Sequence, residues 1–96
     1  MFKYCSNLSS FNCNNLDYLT DGLEMFLGCA NLTSFSYALP NLSNGGGMFC
    51  NCDNLTSFNG DLSSLTNGSS MFYGCKLDTP SVQNIAATIN PELDSY

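Results

Sequence analysis

The chain has 96 residues and a formal net charge of −6, with 8 Asp or Glu against 2 Lys or Arg; 44% of residues are hydrophobic and Cys occurs 6 times. That length holds one domain at most, and Lys3 and Lys76, the only fixed positive charges, leave no basic footprint for a nucleic-acid partner. Histidine is absent, no apolar run approaches the ~20 residues of a bilayer span, and no charged-then-apolar leader opens the chain, so histidine catalysis, membrane insertion and a signal peptide in this chain are not expected.

Asn, Ser and Thr fill 32 positions, yet charge is too low and apolar content too high for a disordered chain. Such a mixture needs a rule that assigns each residue class its place, and a repeat supplies one. Repeat one runs Met1-Phe2, Cys5, Asn7-Leu8, Ser10-Phe11, Leu16, Leu19 and Gly22. Repeat two runs Met25-Phe26, Cys29, Asn31-Leu32, Ser34-Phe35, Leu39, Leu42 and Gly45. Repeat three follows with Met48-Phe49, Cys52, Asn54-Leu55, Ser57-Phe58, Leu62, Leu65 and Gly68. A fourth begins at Met71-Phe72 and Cys75, reaches Leu77 one residue early, and goes no further. The period is 23 residues, with one extra between Phe11 and Leu16 in repeat one.

A unit of this size cannot bury its own apolar side, so its stability must come from stacking. The expected fold is a repeat solenoid with one short parallel strand per coil: four stacked repeats over 1–78, starting near 1, 25, 48 and 71. A helical cap and tail fill 79–96. Phe2, Phe26, Phe49 and Phe72 form one structural ladder and Cys5, Cys29, Cys52 and Cys75 another, the thiols packing as small hydrophobes. The Asn of each Asn-Leu step is expected to bond the backbone of the neighbouring coil. Strand candidates of three to five residues lie within 9–13, 32–37 and 56–60, with Phe35 and Tyr37 on one face and Ser34 and Ser36 on the other. Four coils at a sheet spacing of ~4.8 Å stand ~20 Å tall. The rest of each unit reads as turns, with a helical or 3₁₀ turn near Met-Phe and a flexible turn at Gly45-Gly46-Gly47.

After Cys75 the period stops. Thr79-Pro80 reads as an N-cap and N1 pair, Val82, Ile85, Ala86 and Ile89 form an apolar stripe at helical spacing, and Asn90-Pro91 ends the helix. Laid across the last coil, this helix covers an open hydrophobic end. No such segment precedes repeat one, whose face is therefore exposed or covered by something outside this chain.

Little in the sequence points to chemistry. Ladder cysteines point the same way from successive coils, which is poor disulfide geometry. Cys13 and Cys50 fall off the ladder, and Cys50-Asn51-Cys52 lacks the second pair or His that zinc requires, so no metal site and no cofactor is expected. Sequons at Asn7, Asn31, Asn41, Asn54 and Asn67 mostly restate the repeat. Asp17, Asp21, Glu24, Asp53, Asp61, Asp78, Glu92 and Asp94 are scattered without calcium-loop spacing, and the serines have no base beside them. What remains is a row of outward strand positions, Ser10, Asn12, Ser34, Ser36, Ser57 and Asn59. Small polar groups in a flat row suit a protein or carbohydrate ligand, and suit solvent equally well.

The unit Met-Phe-x-x-Cys-x-Asn-Leu-x-Ser-Phe followed by Leu-x-x-Leu and Gly resembles the BspA-like leucine-rich repeats, the Treponema pallidum type. It is also similar to the Met-Phe-x-x-Cys repeats of bacterial and mycoplasmal surface proteins. Leu39-Pro40 matches that consensus as well, and the resemblance covers residues 1 to about 78. The segment 81–90 is similar to the tail of such arrays in gut bacterial and phage-associated proteins. The resemblance implies a non-enzymatic binding or adhesion module, extracellular at a cell or virion surface. An assembly role is the alternative, in which the uncapped first coil stacks on another copy or a partner to form oligomers or filaments. Cys13, Tyr37 and Gly60 stand where the family has an aliphatic residue, which implies a shorter sheet.

Overall fold

The computed structural model describes residues 2–91, Leu93 and Tyr96. Met1, which opens the Met-Phe column, and Glu92 and Asp94 of the acidic set lie outside them. The elements are strand β1 (Ser34–Phe35), strand β2 (Ser57–Phe58) and helix α1 (Thr79–Thr88). The strands pair in parallel with Ser34 opposite Ser57 and Phe35 opposite Phe58, one period apart. The strands are shorter than the three to five residues expected, and among the described residues repeats one and four contribute none. In repeat one the extra residue after Phe11 displaces the backbone, and the Tyr37 hydroxyl accepts from the Cys13 N–H at 2.8 Å. In repeat four the chain turns into α1 where the next strand would stand.

Successive repeats are joined by backbone bonds in two places. In the Met-Phe segment, Phe2, Phe26 and Phe49 N–H donate to the Met25, Met48 and Met71 carbonyls of the following repeat at 2.7–2.9 Å. Further along, Ser43 and Thr66 N–H donate back to Thr20 and Ser43 at 2.9 Å, beside parallel bridges linking Asp21, Asn44 and Asn67. The segment around Met-Phe is a chain of tight turns rather than a helical or 3₁₀ turn. The reason is backbone handedness. Glu24, Gly47 and Ser70, each just before Met, have φ of 54°, 60° and 54°, and Tyr4, Gly28, Asn51 and Gly74 two after Phe have φ of 59°, 75°, 61° and 83°. A left-handed residue on either side of Met-Phe cannot continue a right-handed helix. Gly45-Gly46-Gly47 is correspondingly a fixed turn: Gly45 and Gly47 N–H reach Asn67 and Ser69, and Gly46 N–H reaches Asn44 Oδ1.

Two columns of rings fill the interior. Phe2, Phe26, Phe49 and Phe72 stack with centroids 5.4, 5.5 and 5.7 Å apart and planes within 7°. Phe11, Phe35 and Phe58 stack beside them at 6.3 and 5.8 Å, meeting the first column edge-on. Such pairs add ~0.5–1.5 kcal/mol beyond area burial. Leu32, Leu39, Leu42, Leu55, Leu62 and Leu65 are fully buried around them. Gly22 and Gly45 sit at close approaches: a Cβ there would stand 2.9 Å from the sulfur of Met48 or Met71 and 3.2 or 3.1 Å from Cδ1 of Leu42 or Leu65.

Helix α1 departs from its expected face. Asp78, not Thr79, is the N-cap, its carboxylate accepting from Ser81 N–H at 2.9 Å, with Pro80 in the first turn. Val82 is 53% exposed and Ala86 is exposed; Ser81 and Ile85 are the buried pair. Ser81 displaces Val82 because the sheet edge beneath the helix needs a polar partner. Its hydroxyl accepts from Phe58 N–H at 2.8 Å and donates to the Thr56 carbonyl at 3.5 Å. Asn84 and Asn90 side chains donate to Gly60 and Leu65 carbonyls, and Phe72 N–H donates to the Tyr96 carbonyl as earlier Phe residues do to Met. Helix and tail thus take over the bonds of a following repeat.

Candidate functional site

The candidate surface is the outward side of the paired strands. Alternation puts Phe35 and Phe58 in the core and leaves Ser34 exposed and Ser57 half-buried opposite it. Ser36 and Asn59, two residues on, are exposed beside them. These four form a compact polar patch without a charged member. Ser10 and Asn12 are exposed too, but no strand includes them, so they extend the patch only as parts of an irregular segment. Thr33 and Thr56 flank it, with Thr56 Oγ1 donating to the Thr33 carbonyl at 3.4 Å.

Other polar residues are engaged in holding repeats together. Asn31 and Asn54 amides donate to the Ser6 and Ala30 carbonyls of the preceding repeat at 2.6 and 2.9 Å, as the Asn-Leu step implies. Asn41 and Ser64 do the same toward Asp17 and Pro40. A further column goes unnoticed in the sequence reading: Asp21, Asn44 and Asn67 each accept with Oδ1 from the N–H two residues on, and Asn67 Nδ2 donates to Asn44 Oδ1 at 3.0 Å. Its signal is an Asp or Asn directly before Gly22, Gly45 and Gly68. Four of the five sequon asparagines thus carry bonds between repeats.

The cysteine ladder is a column of thiol donors. Cys29, Cys52 and Cys75 Sγ donate to the Phe2, Phe26 and Phe49 carbonyls at 3.0–3.1 Å. Burial raises the Cys29 thiol pKa and pushes Cys52 and Cys75 up to about 12, so these sulfurs stay protonated and unreactive at neutral pH. Cys5 departs from the expected burial. It is exposed, because no described repeat lies above it, and Phe2, Phe72 and Cys75 at the ends of their ladders are only half-buried. All six cysteines are free, and among the described residues no three Cys, Asp or Glu converge as a metal site.

Of the charged residues, Asp78 lies beside the patch, its N–H donating to the Thr56 carbonyl at 2.8 Å. Lys3 pairs with Glu24 at 3.0 Å, which raises the lysine pKa. Asp78 is held below its ordinary pKa by its hydrogen bonds from Ser81. Asp61 accepts from the Ser63 N–H at 3.0 Å. Among the described residues Tyr4, Tyr18 and Tyr73 are the most exposed large hydrophobic side chains.

Among the described residues no helix is long and apolar enough to cross a membrane. No curated protein and no solved structure matches the chain significantly. The family model described as a BspA type leucine rich repeat region (6 copies) matches residues 1–93. Such repeats are typically binding or adhesion repeats of surface proteins and are generally non-enzymatic. With nearly its whole length under that match and its repeats bonded one to the next, the chain belongs to the BspA-type leucine-rich repeat family.

Proposed function

We propose that the chain is a non-enzymatic binding or adhesion module of a bacterial or phage surface protein, and that it recognises protein or carbohydrate through the outward strand positions. Stacked coils form a solenoid in this reading, closed at one end by α1, and the strand side is the recognition face. The observation that carries it is the uncharged patch of Ser34, Ser36, Ser57 and Asn59, held in register by the strand pair. Hydroxyls and an amide on paired strands offer both donors and acceptors at sheet spacing, and they match sugar hydroxyls or a peptide edge without a charged group to desolvate.

The test is binding to glycan and host-matrix protein arrays by the intact chain, compared with Ser34→Lys, Ser36→Lys and Ser57→Lys combined. Ser34 and Ser36 are exposed and Ser57 half-buried, and circular dichroism of the variant checks that it keeps the parent fold. Capture of a ligand by the parent and its loss in the variant supports the reading. Equal capture by both removes the patch from it.

A further inference from the structure

We infer that Asn59 is a self-modification site: the Gly60 backbone nitrogen closes on the Asn59 side chain, expels its amide as ammonia, and leaves an acidic residue on the outward strand surface. The reaction needs only this chain and water, and it does not rest on the ligand reading of that surface.

Asn is thermolabile, most of all where Gly follows, because no side chain hinders the attacking nitrogen and the backbone turns freely. Three steps qualify, Asn44-Gly45, Asn59-Gly60 and Asn67-Gly68; every other Asn precedes a residue with a side chain. The fold treats the three differently. Asn44 Oδ1 accepts from Gly46 N–H at 3.1 Å and from Asn67 Nδ2 at 3.0 Å. The Gly45 N–H that would attack donates to the Asn67 carbonyl at 2.8 Å. Asn67 has both ends of its amide engaged, Nδ2 with Asn44 Oδ1 and Oδ1 with Ser69 N–H at 3.1 Å. Asn59 is exposed, and among the described residues its side-chain amide has no partner and Gly60 N–H has no acceptor. The step is held only on either side, by Asn59 N–H donating to the Phe35 carbonyl and Asn84 Nδ2 donating to the Gly60 carbonyl, each at 3.0 Å. Ring closure there gives up no hydrogen bond of the reacting groups. Repeats one and two have Asn12-Cys13 and Ser36-Tyr37 at the equivalent position, so the reactive step is confined to repeat three.

The Gly60 nitrogen loses its proton to solvent base and bonds to Asn59 Cγ. The Cγ–Nδ2 bond breaks, and the departing nitrogen takes a proton from solvent to leave as ammonia. Water then adds to either carbonyl of the five-membered imide and opens it to Asp or isoaspartate. Both products place one carboxylate, ionised at neutral pH, beside Ser34, Ser36 and Ser57, in a patch with no charged member. Isoaspartate also lengthens the backbone by a methylene next to the Phe35 bond. Because deprotonation of the nitrogen comes first, the rate rises with hydroxide concentration.

Peptide mass spectrometry of the intact chain aged in warm, neutral to mildly alkaline buffer tests this, beside a sample held in urea. In the folded chain acid should accumulate at Asn59 roughly tenfold or more faster than at Asn44 or Asn67, whose amides must each release two hydrogen bonds. In urea the three rates should converge. Isoelectric focusing should show the folded chain, at −6 when fresh, gaining a more acidic species that Asn59→Ser abolishes. Should that variant fail to fold, the site-resolved rates of the parent chain still decide. Asn44 or Asn67 reacting as fast as Asn59 in the folded chain, an acidic species undiminished in Asn59→Ser, or an Asn59 that reacts in urea but not when folded each overturns the inference.

Discussion

The left-handed column before each Met offers opposite-signed mutations at equivalent sites. Gly47 has φ of 60°, and Ser70, one period on, has φ of 54°. A Cβ on Gly47 would meet Glu24 Cγ at 3.3 Å and Leu27 Cδ1 at 3.6 Å, both parts of flexible side chains, so Gly47→Ala reports backbone handedness with little added clash. A left-handed non-glycine residue costs ~1–2 kcal/mol. The smaller unfolded-state entropy of Ala returns ~0.4–1 of this, leaving a net loss of about 0.5–1 kcal/mol. Ser70→Gly reverses both contributions and should stabilise by a similar amount. For a chain of this length such changes move Tm by roughly 2–8 °C, downward for the first variant and upward for the second. Gly74→Ala should lose more than Gly47→Ala, since its Cβ would stand 2.8 Å from Asn51 Oδ1 and 3.3 Å from Asn51 Cα at φ of 83°. Thermal unfolding followed by circular dichroism is the assay. A more stable Gly47→Ala with a less stable Ser70→Gly would refute the handedness argument.

Ser81→Ala strips the buried Phe58 N–H of its acceptor and should cost about 1–3 kcal/mol in urea unfolding; a loss under half a kcal/mol would mean the helix does not close the sheet edge. Thr88 Oγ1 is a buried atom with no partner among the described residues, so Thr88→Val should stabilise by about 1 kcal/mol, and a loss would reveal a partner. Cys52 and Cys75 keep their protons up to about 12 in the folded chain against an ordinary value of 9.0. Stability is flat with respect to these groups below the unfolded value and falls as pH rises through the window above it, because the unfolded chain releases protons the folded chain retains. Urea midpoints measured from pH 8 to 11 should decline, and a level profile would show that the thiols are not sequestered. Phe49→Ala, in the middle of both ring contacts, should cost about 3–5 kcal/mol; calorimetry finding under 1 kcal/mol would mean the rings are not a continuous core.

Residues copied at one period were the legible ones. Phe26, Phe49 and Phe72 announce their stacking because a side chain repeated at one position meets itself in the next coil, and Asn31 and Asn54 announce their bonds for the same reason. Alternation around Phe35 likewise exposes Ser34 and Ser36. Ser81 was hidden because helical spacing selects apolar residues, and here the contact needed a hydroxyl for an unpaired sheet-edge amide. Handedness was hidden at Tyr4, Glu24 and Ser70, whose residue types do not signal positive φ; only Gly28, Gly47, Gly74 and Asn51 in the same columns carry that mark. The patch is least regular at Ser10 and Asn12, where one inserted residue, visible in the sequence, undid a strand that residue type alone supports.

The helix and tail bond the last repeat through groups that every repeat presents in the same places. Their grip is indifferent to how many units lie behind them. Array length is therefore a free variable in steps of one period: duplicating or excising a block such as residues 25–47 joins surfaces that already fit. A change of any other size shifts one side of the chain against the other, as the single additional residue of repeat one does. Recombination between repeats in register would lengthen or shorten such a surface without redesigning its end.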